Sequence, residues 1–299
     1  MAHNLDMKGV EYVRKRMPLI GFGTYQIQSA STLFEVLDAA LEVGYRLIDT
    51  AQVYQNERHI GDALAKLLPK YGLSRCSAVD VFVTTKLSPA NQGAENCANS
   101  LLESLRLLQT DYVDLALIHW PGASRLKREN PRNAELRAES WKAMEQMHEE
   151  GRLRAIGVSN FNVSHLEQLL KGGWARVAPA VNQCEFHPHW VQPELISFCT
   201  RHGIHFQAYS SLGSESNRKV LFQDDKIRAM AAKYDCSVPD FLLGWALSQG
   251  MSVLPRSQSR EHIRANFIGA SKVRVSAEDI EAVKAANRSK YCWDPEGVQ

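Results

Sequence analysis

No Cys-x-x-Cys pair occurs in this chain, whose six cysteines (Cys76, Cys97, Cys184, Cys199, Cys236 and Cys292) are scattered along it. Thiolate metal sites and disulfide frameworks rely on close or regular spacing, so neither is supported, and reduced thiols in a cytoplasmic setting are expected. No apolar run approaches the roughly 18 residues needed to cross a membrane. The opening MAHNLDMKGVEY lacks the apolar core of a secretion signal. Glycine-rich nucleotide fingerprints are missing too: Gly21 and Gly23 do not continue into G-x-G-x-x-G, and no G-x-x-x-x-G-K-[ST] is present. Any nucleotide must then be held by strand ends. Nor does one charge dominate, the formal net charge being +2. The basic clusters RKR (Arg14 to Arg16) and RLKRE (Arg125 to Glu129) are short or mixed in sign. They read as solvated turns rather than nucleic-acid patches.

What is present is an alternation of short apolar runs with longer helical stretches. The strand-like runs are Leu19 to Gly23, Tyr45 to Asp49, Val81 to Lys86, Tyr112 to His119, Ala155 to Ser159, Pro179 to Gln183, Ile204 to Tyr209 and Ser252 to Pro255. Their length, β-branched content and flanking Gly or Pro favour strands. Between them, STLFEVLDAALEVG carries Leu33, Val36, Leu37, Ala40 and Leu41 on one stripe and stops at Gly44. ANSLLESLRLL repeats the pattern, and SWKAMEQMHEEG runs from a serine cap to Gly151. Further helices are expected at VSHLEQLL, QPELISFCTRHG, DDKIRAMAAKY, VPDFLLGWALSQ, REHIRANFIG and SAEDIEAVKAAN. Strand–helix alternation implies parallel pairing with right-handed crossovers. An open doubly wound sheet fits that, but eight strands, no Pro/Gly-rich linker and polar residues after several different strands favour one closed (β/α)8 TIM barrel over residues 1–299. The long polar connection PGASRLKRENPRNAELRAES is expected to cover the barrel mouth.

Four residues at or just past successive strand ends carry the chemistry: Asp49, Tyr54, Lys86 and His119. Singly, each has a plain reading as a turn residue, core edge, solvated lysine or satisfied core histidine. Together they supply a carboxylate, a phenol, an ammonium and an imidazole. A carbonyl that accepts hydride develops negative charge on oxygen and needs a proton there. Tyr54 can donate it. Its ordinary pKa of about 10 makes it a slow acid, and a neighbouring cation such as Lys86 is expected to lower that value. Asp49 can pair with Lys86, and His119 can orient the carbonyl oxygen.

On these residues the chain resembles the aldo-keto reductase family over almost its whole length. GYRLIDTAQVYQNERHIG is similar to the family signature with its aspartate and tyrosine, VFVTTKL to the lysine segment and LIHWP to the histidine segment. GVSNF, VNQCEFHP and QAYSSLG resemble its cofactor-binding strand ends, and LPRSQSREHIRANF its adenosine-phosphate segment. The resemblance implies NADP(H), with NAD(H) less preferred, and metal-free reduction of a small-molecule carbonyl. It implies that Tyr209 stacks on the nicotinamide, that Ser159, Asn160 and Gln183 bind its carboxamide, and that Gly23 and Thr24 flank the cofactor. Ser210 and Leu212 continue that wall, while Tyr25 and Trp120 line the substrate pocket. In the phosphate segment Arg256 and Ser257 match the NADPH-preferring pattern, and Asn266 faces adenine. His262 replaces the later arginine of that pattern and Ala265 a glutamate.

Glu185, His187 and His189 alternate as metal ligands can, but Pro188 and the family resemblance make them a strand-end motif. Tyr291 and Trp293, in the tail NRSKYCWDPEGVQ, fit either a fold-back over the mouth or packing on the barrel wall. Nothing in the pattern demands more than a monomer. The rival reading from another class is a non-catalytic NADP(H)-binding sensor or structural protein on the same barrel.

Overall fold

The computed structural model describes residues 5–74, 81–214, 216–285 and 289–299. The strands are β1 (Phe22–Gly23), β2 (Leu47–Asp49), β3 (Phe82–Leu87), β4 (Leu115–Ile118), β5 (Ile156–Ser159), β6 (Val181–Glu185), β7 (His205–Tyr209) and β8 (Ser252–Val253). All pair in parallel, in chain order. Gly21 N–H donates to Val253 O at 2.9 Å and Val253 N–H to Leu19 O at 2.8 Å, which joins the eighth strand to the first. The result is the (β/α)8 barrel.

Helices α1 (Lys8–Arg16), α2 (Ala30–Val43), α3 (Glu57–Lys70), α4 (Ala94–Leu107), α5 (Arg132–Glu149) and α6 (Val163–Lys171) alternate with the first strands. They are followed by α7 (Pro193–Arg201), α8 (Arg218–Phe222), α9 (Asp225–Lys233), α10 (Val238–Leu247), α11 (Arg260–Lys272) and α12 (Ala277–Ala282). The outward strand residues Ile48, Val83, Ala116, Ile118 and Val158 share the main core with the helices. The inward ones form a second cluster of Leu47, Phe82, Leu115, Leu117, Ala155 and Val181, into which Val10, Val13 and Met17 insert from below. Helix α1 therefore plugs the barrel floor.

This period-two alternation delivers the site. Residues two or four beyond an inward core position also face inward, only higher. From Leu47 that gives Asp49, from Phe82 Thr84 and Lys86, from Leu117 His119, and from Val181 Gln183 and Glu185. Apolar layers below and polar ends above are thus two halves of one pattern.

Several expectations need correction. The RKR cluster is the last turn of α1, not a turn between elements. Ser140 does not cap a helix. It lies inside α5, where its hydroxyl donates to Leu136 O at 2.7 Å and accepts Gly93 N–H at 2.8 Å. The long connection is accordingly shorter, because α5 already starts at Arg132. Helices α1, α3 and α8 were not anticipated. Cys76 and the end of the expected final helix (residues 286–287) lie outside the described residues.

Candidate active site

Lys86 is completely buried at the upper end of β3. Its ammonium donates to Asp49 Oδ1 at 2.6 Å, Thr50 O at 2.9 Å and Tyr54 Oη at 3.2 Å. An ammonium has three N–H groups and no lone pair, so all three are committed. Because Tyr54 Oη accepts from Lys86, its own hydrogen is left for another partner. Asp49 is 4% exposed, and its second oxygen accepts Gln183 Nε2–H at 2.8 Å. The carboxylate is therefore fixed from two strands. Tyr54 ends a short 3-10 turn (Gln52–Tyr54) just after β2. Its ring stands edge-on to His119, with centroids 5.7 Å apart, and 5.0 Å from Tyr25.

Burial pushes the Tyr54 phenol above its ordinary value, and Lys86 pulls it down without reversing that shift. The expected net lowering is thus overturned in this structure, where desolvation is the stronger effect. Burial pushes the Lys86 ammonium down, but Asp49 and Tyr54 together hold it above its usual value, so it stays charged. His119 follows β4 directly. Burial, and then the Lys86 charge, lower its pKa to about 3. Its Nδ1 is buried without a hydrogen-bond partner. A proton on that nitrogen would be buried and unsatisfied, which favours the tautomer protonated at Nε2. The site therefore holds two neutral donors, a phenol and an imidazole, beside one buried ion pair.

Three histidines share this enforced neutrality: burial lowers His165 and His205 to about 4, as it lowers His119 to about 3. In the unfolded chain imidazole binds a proton below about pH 6.5, whereas these folded sites do not until much lower. The unfolded state then holds more protons through that window, and stability falls as pH drops from 6.5 towards 4. The unfolding midpoint should decline steadily across that range. A midpoint flat from pH 6.5 to 4.5 would contradict buried, neutral imidazoles.

Above these residues lies a cleft of about 1420 Å³. That exceeds the usual ~300–1,000 Å³ of a small-ligand pocket and leaves room for a two-part ligand. Its lining includes Tyr25, Asp49, Tyr54 and His119 together with Arg256, Ser257, His262 and Asn266. Gly23, Ser159, Asn160, Gln183, Tyr209, Ser210 and Leu212 line it as well. Tyr209 Oη donates to Asn160 Oδ1 at 2.7 Å, and Asn160 Nδ2 to His119 O at 3.0 Å. Asn160 has φ 63°, a left-handed conformation uncommon outside glycine, held by these bonds. The Ser259 hydroxyl caps α11, whose amino end follows Arg256 and Ser257 closely in the chain. Arg256 Nη2 donates to Gln26 Oε1 at 2.8 Å.

Not every anticipated residue reaches the cleft. Thr24 is fully buried, and its hydroxyl donates to Asp49 O at 2.9 Å, tying the first loop to β2. Trp120 is half-buried next to Gly122 and is not among the lining residues. Residues not anticipated as lining include Gln26, Ser211, Arg218 and Cys292. Trp293, left open between two placements, lines the cleft at 62% exposure, while Tyr291 also stacks on His187, centroids 4.5 Å apart.

The residues fit an extended dinucleotide. Ser211 Oγ is buried in the cleft wall without a partner, the Tyr209 ring, fixed by Asn160, lines the cleft, and a cation lies at a helix amino end, where phosphate binds well.

The chain is 37% identical over 294 residues to an aldose reductase of Encephalitozoon cuniculi, covering 95% of this chain and 94% of that protein. It is 35% identical to the glyoxal reductase of Bacillus subtilis, covering 92% and 90%. Among solved structures, an aldo-keto reductase from a Medee basin deep-sea metagenome library superposes with a TM-score of 0.82 at 33% identity, covering 95% and 96%. The Aldo/keto reductase family model matches residues 19–288, and this chain belongs to that family.

Proposed function

We propose that the protein reduces aldehydes and some ketones to alcohols with NADPH. The bound dinucleotide would supply hydride, and the protein's residues do the rest. Tyr54 delivers its proton to the developing alkoxide. Lys86, hydrogen-bonded to the phenol oxygen at 3.2 Å, stabilises the phenolate left behind. Asp49 keeps Lys86 charged and in place. His119, neutral and protonated at Nε2, directs the carbonyl oxygen towards Tyr54. Tyr209 offers a ring face to the nicotinamide, while Ser159, Asn160 and Gln183 set which face meets the substrate. Arg256, Ser257 and the start of α11 receive the 2′-phosphate, with His262 and Asn266 beside the adenosine. The observation that carries this reading is the committed ammonium beside Tyr54, which leaves the phenol hydrogen free to serve a ligand in the cleft that Tyr54 lines.

The test is aldehyde-dependent consumption of NADPH, followed by its near-ultraviolet absorbance with aromatic and aliphatic aldehydes. Consumption identical with and without aldehyde rules the reading out. Tight NADPH binding without turnover would favour a sensor. In the same assay Arg256→Ala should weaken NADPH by about tenfold or more while leaving NADH nearly unchanged, since a guanidinium–phosphate bond is charge-assisted. Equal weakening of both would place the phosphate elsewhere.

A further inference from the structure

Several buried polar groups that this chemistry leaves unused meet one segment, residues 290–299. Glu185, fully buried at the end of β6, accepts the backbone N–H of Tyr291 at 2.5 Å and of Cys292 at 3.0 Å. Lys290 Nζ lies 3.2 Å from the same carboxylate. Tyr291 Oη lies 2.5 Å from His189 Nδ1, and the other nitrogen of that ring is 3.1 Å from Asp224.

The segment is tied down a second time on the outer helices. His165 Nε2–H donates to Val298 O at 2.7 Å, while its Nδ1 accepts Asn162 N–H at 3.3 Å, which fixes one neutral tautomer. Arg137 of α5 is 2% exposed. It donates at 2.7 Å to each of Gln299 O, Pro121 O and Gln168 Oε1. Among the described residues no side-chain carboxylate pairs with it. Burying a guanidinium is costly unless its donors are satisfied, and these three short bonds hold it in place. What Arg137 does is join two loops. Pro121 adjoins Trp120, whose carbonyl is held by Gln92 Nε2 at 2.8 Å, while Cys292 at the first tie and Trp293 just after it line the cleft.

We propose that Arg137, assisted by His165, is a positioning residue for the carbonyl substrate. By docking residues 298–299 it sets where the Cys292–Trp293 wall of the cleft stands. This rests on the reductase reading. Arg256 and the start of α11 belong to other elements, so NADPH affinity is expected to be unaffected.

The experiment uses full-length Arg137→Met, Arg137→Lys and Val298→Lys. The last variant leaves every barrel residue intact and repels the docked segment, so it carries the test if Arg137→Met fails to fold. Aldehyde kcat and KM, NADPH Kd by fluorescence, and amide exchange over residues 290–299 are measured. Arg137→Met and Val298→Lys should raise aldehyde KM about tenfold, keep NADPH Kd within about twofold and speed exchange in the segment, with Arg137→Lys between them and the unaltered protein. Faster exchange with unchanged KM overturns the proposal. So does a parallel rise in KM and NADPH Kd, which would mean general loosening. Absence of aldehyde turnover in the unaltered protein appears before any substitution, and would remove the reductase reading and this inference with it.

Discussion

Tyr54→Phe should lower kcat for aldehyde reduction by about three orders of magnitude while changing NADPH Kd less than about twofold, because a positioned general acid contributes ~10²–10⁴-fold. The substitution removes one oxygen and leaves the ring against Tyr25 and His119. Lys86 loses one of three acceptors but keeps Asp49 and Thr50 O, so the floor of the site stays folded. The effect therefore falls on the chemical step. The pH profile gives a second readout. The Tyr54 phenol is raised above its ordinary value and His119 is lowered to about 3. Both donors hold their protons through neutral pH, and reduction should decline only as the alkaline limb of the phenol is reached, above about pH 10. A bell centred near pH 6 would mean that an imidazole with an ordinary pKa is the acid. Loss of NADPH affinity with kcat spared would show that Tyr54 holds cofactor and transfers no proton.

Much of the barrel was legible because its strands are short, apolar and bounded by Gly or Pro, and because inward positions repeat at a period of two. Asp49, Lys86 and His119 could be placed at strand ends on that basis alone. Helix α5 was misread for a definite reason. Its buried face carries Asn133, Arg137, Ser140 and Glu145 beside Trp141 and Met144, so the stretch looks like a polar loop followed by a serine cap. Polar residues that bury by hydrogen-bonding the backbone of other segments leave no apolar stripe to count. Helix α1 escaped notice because only Gly9, Val10 and Val13 in its nine residues are buried, enough to plug a barrel but not to show a period. Glu185, His187 and His189 were visible as an alternating set. Their target was not, because it lies about a hundred residues away in the segment at Tyr291 and Cys292. The acidity of Tyr54 was misjudged because a sequence shows the neighbouring cation but not the depth of burial that outweighs it.

Lys86→Met should cost about 3–5 kcal/mol of stability, the usual penalty for stranding one member of a buried ion pair. In a chain of this size, with about 2–4 °C per kcal/mol, the unfolding midpoint should fall by roughly 6–20 °C. Asp49 is 4% exposed and would keep only Gln183 as a side-chain donor. Adding Asp49→Asn removes the stranded charge, so the double variant should recover a large part of that loss. Activity should not recover with it. Without the ammonium 3.2 Å from Tyr54 Oη the phenolate has no counter-charge, and kcat should remain down by about a hundredfold or more in both variants. That separation of stability from turnover distinguishes a pair kept for structure from one kept for the proton. If the two substitutions simply add in their cost, the Asp49–Lys86 bond is not the coupled pair that its 2.6 Å separation implies. If the double variant regains turnover as well as stability, Lys86 serves the fold, and Tyr54 needs no cation to give up its proton.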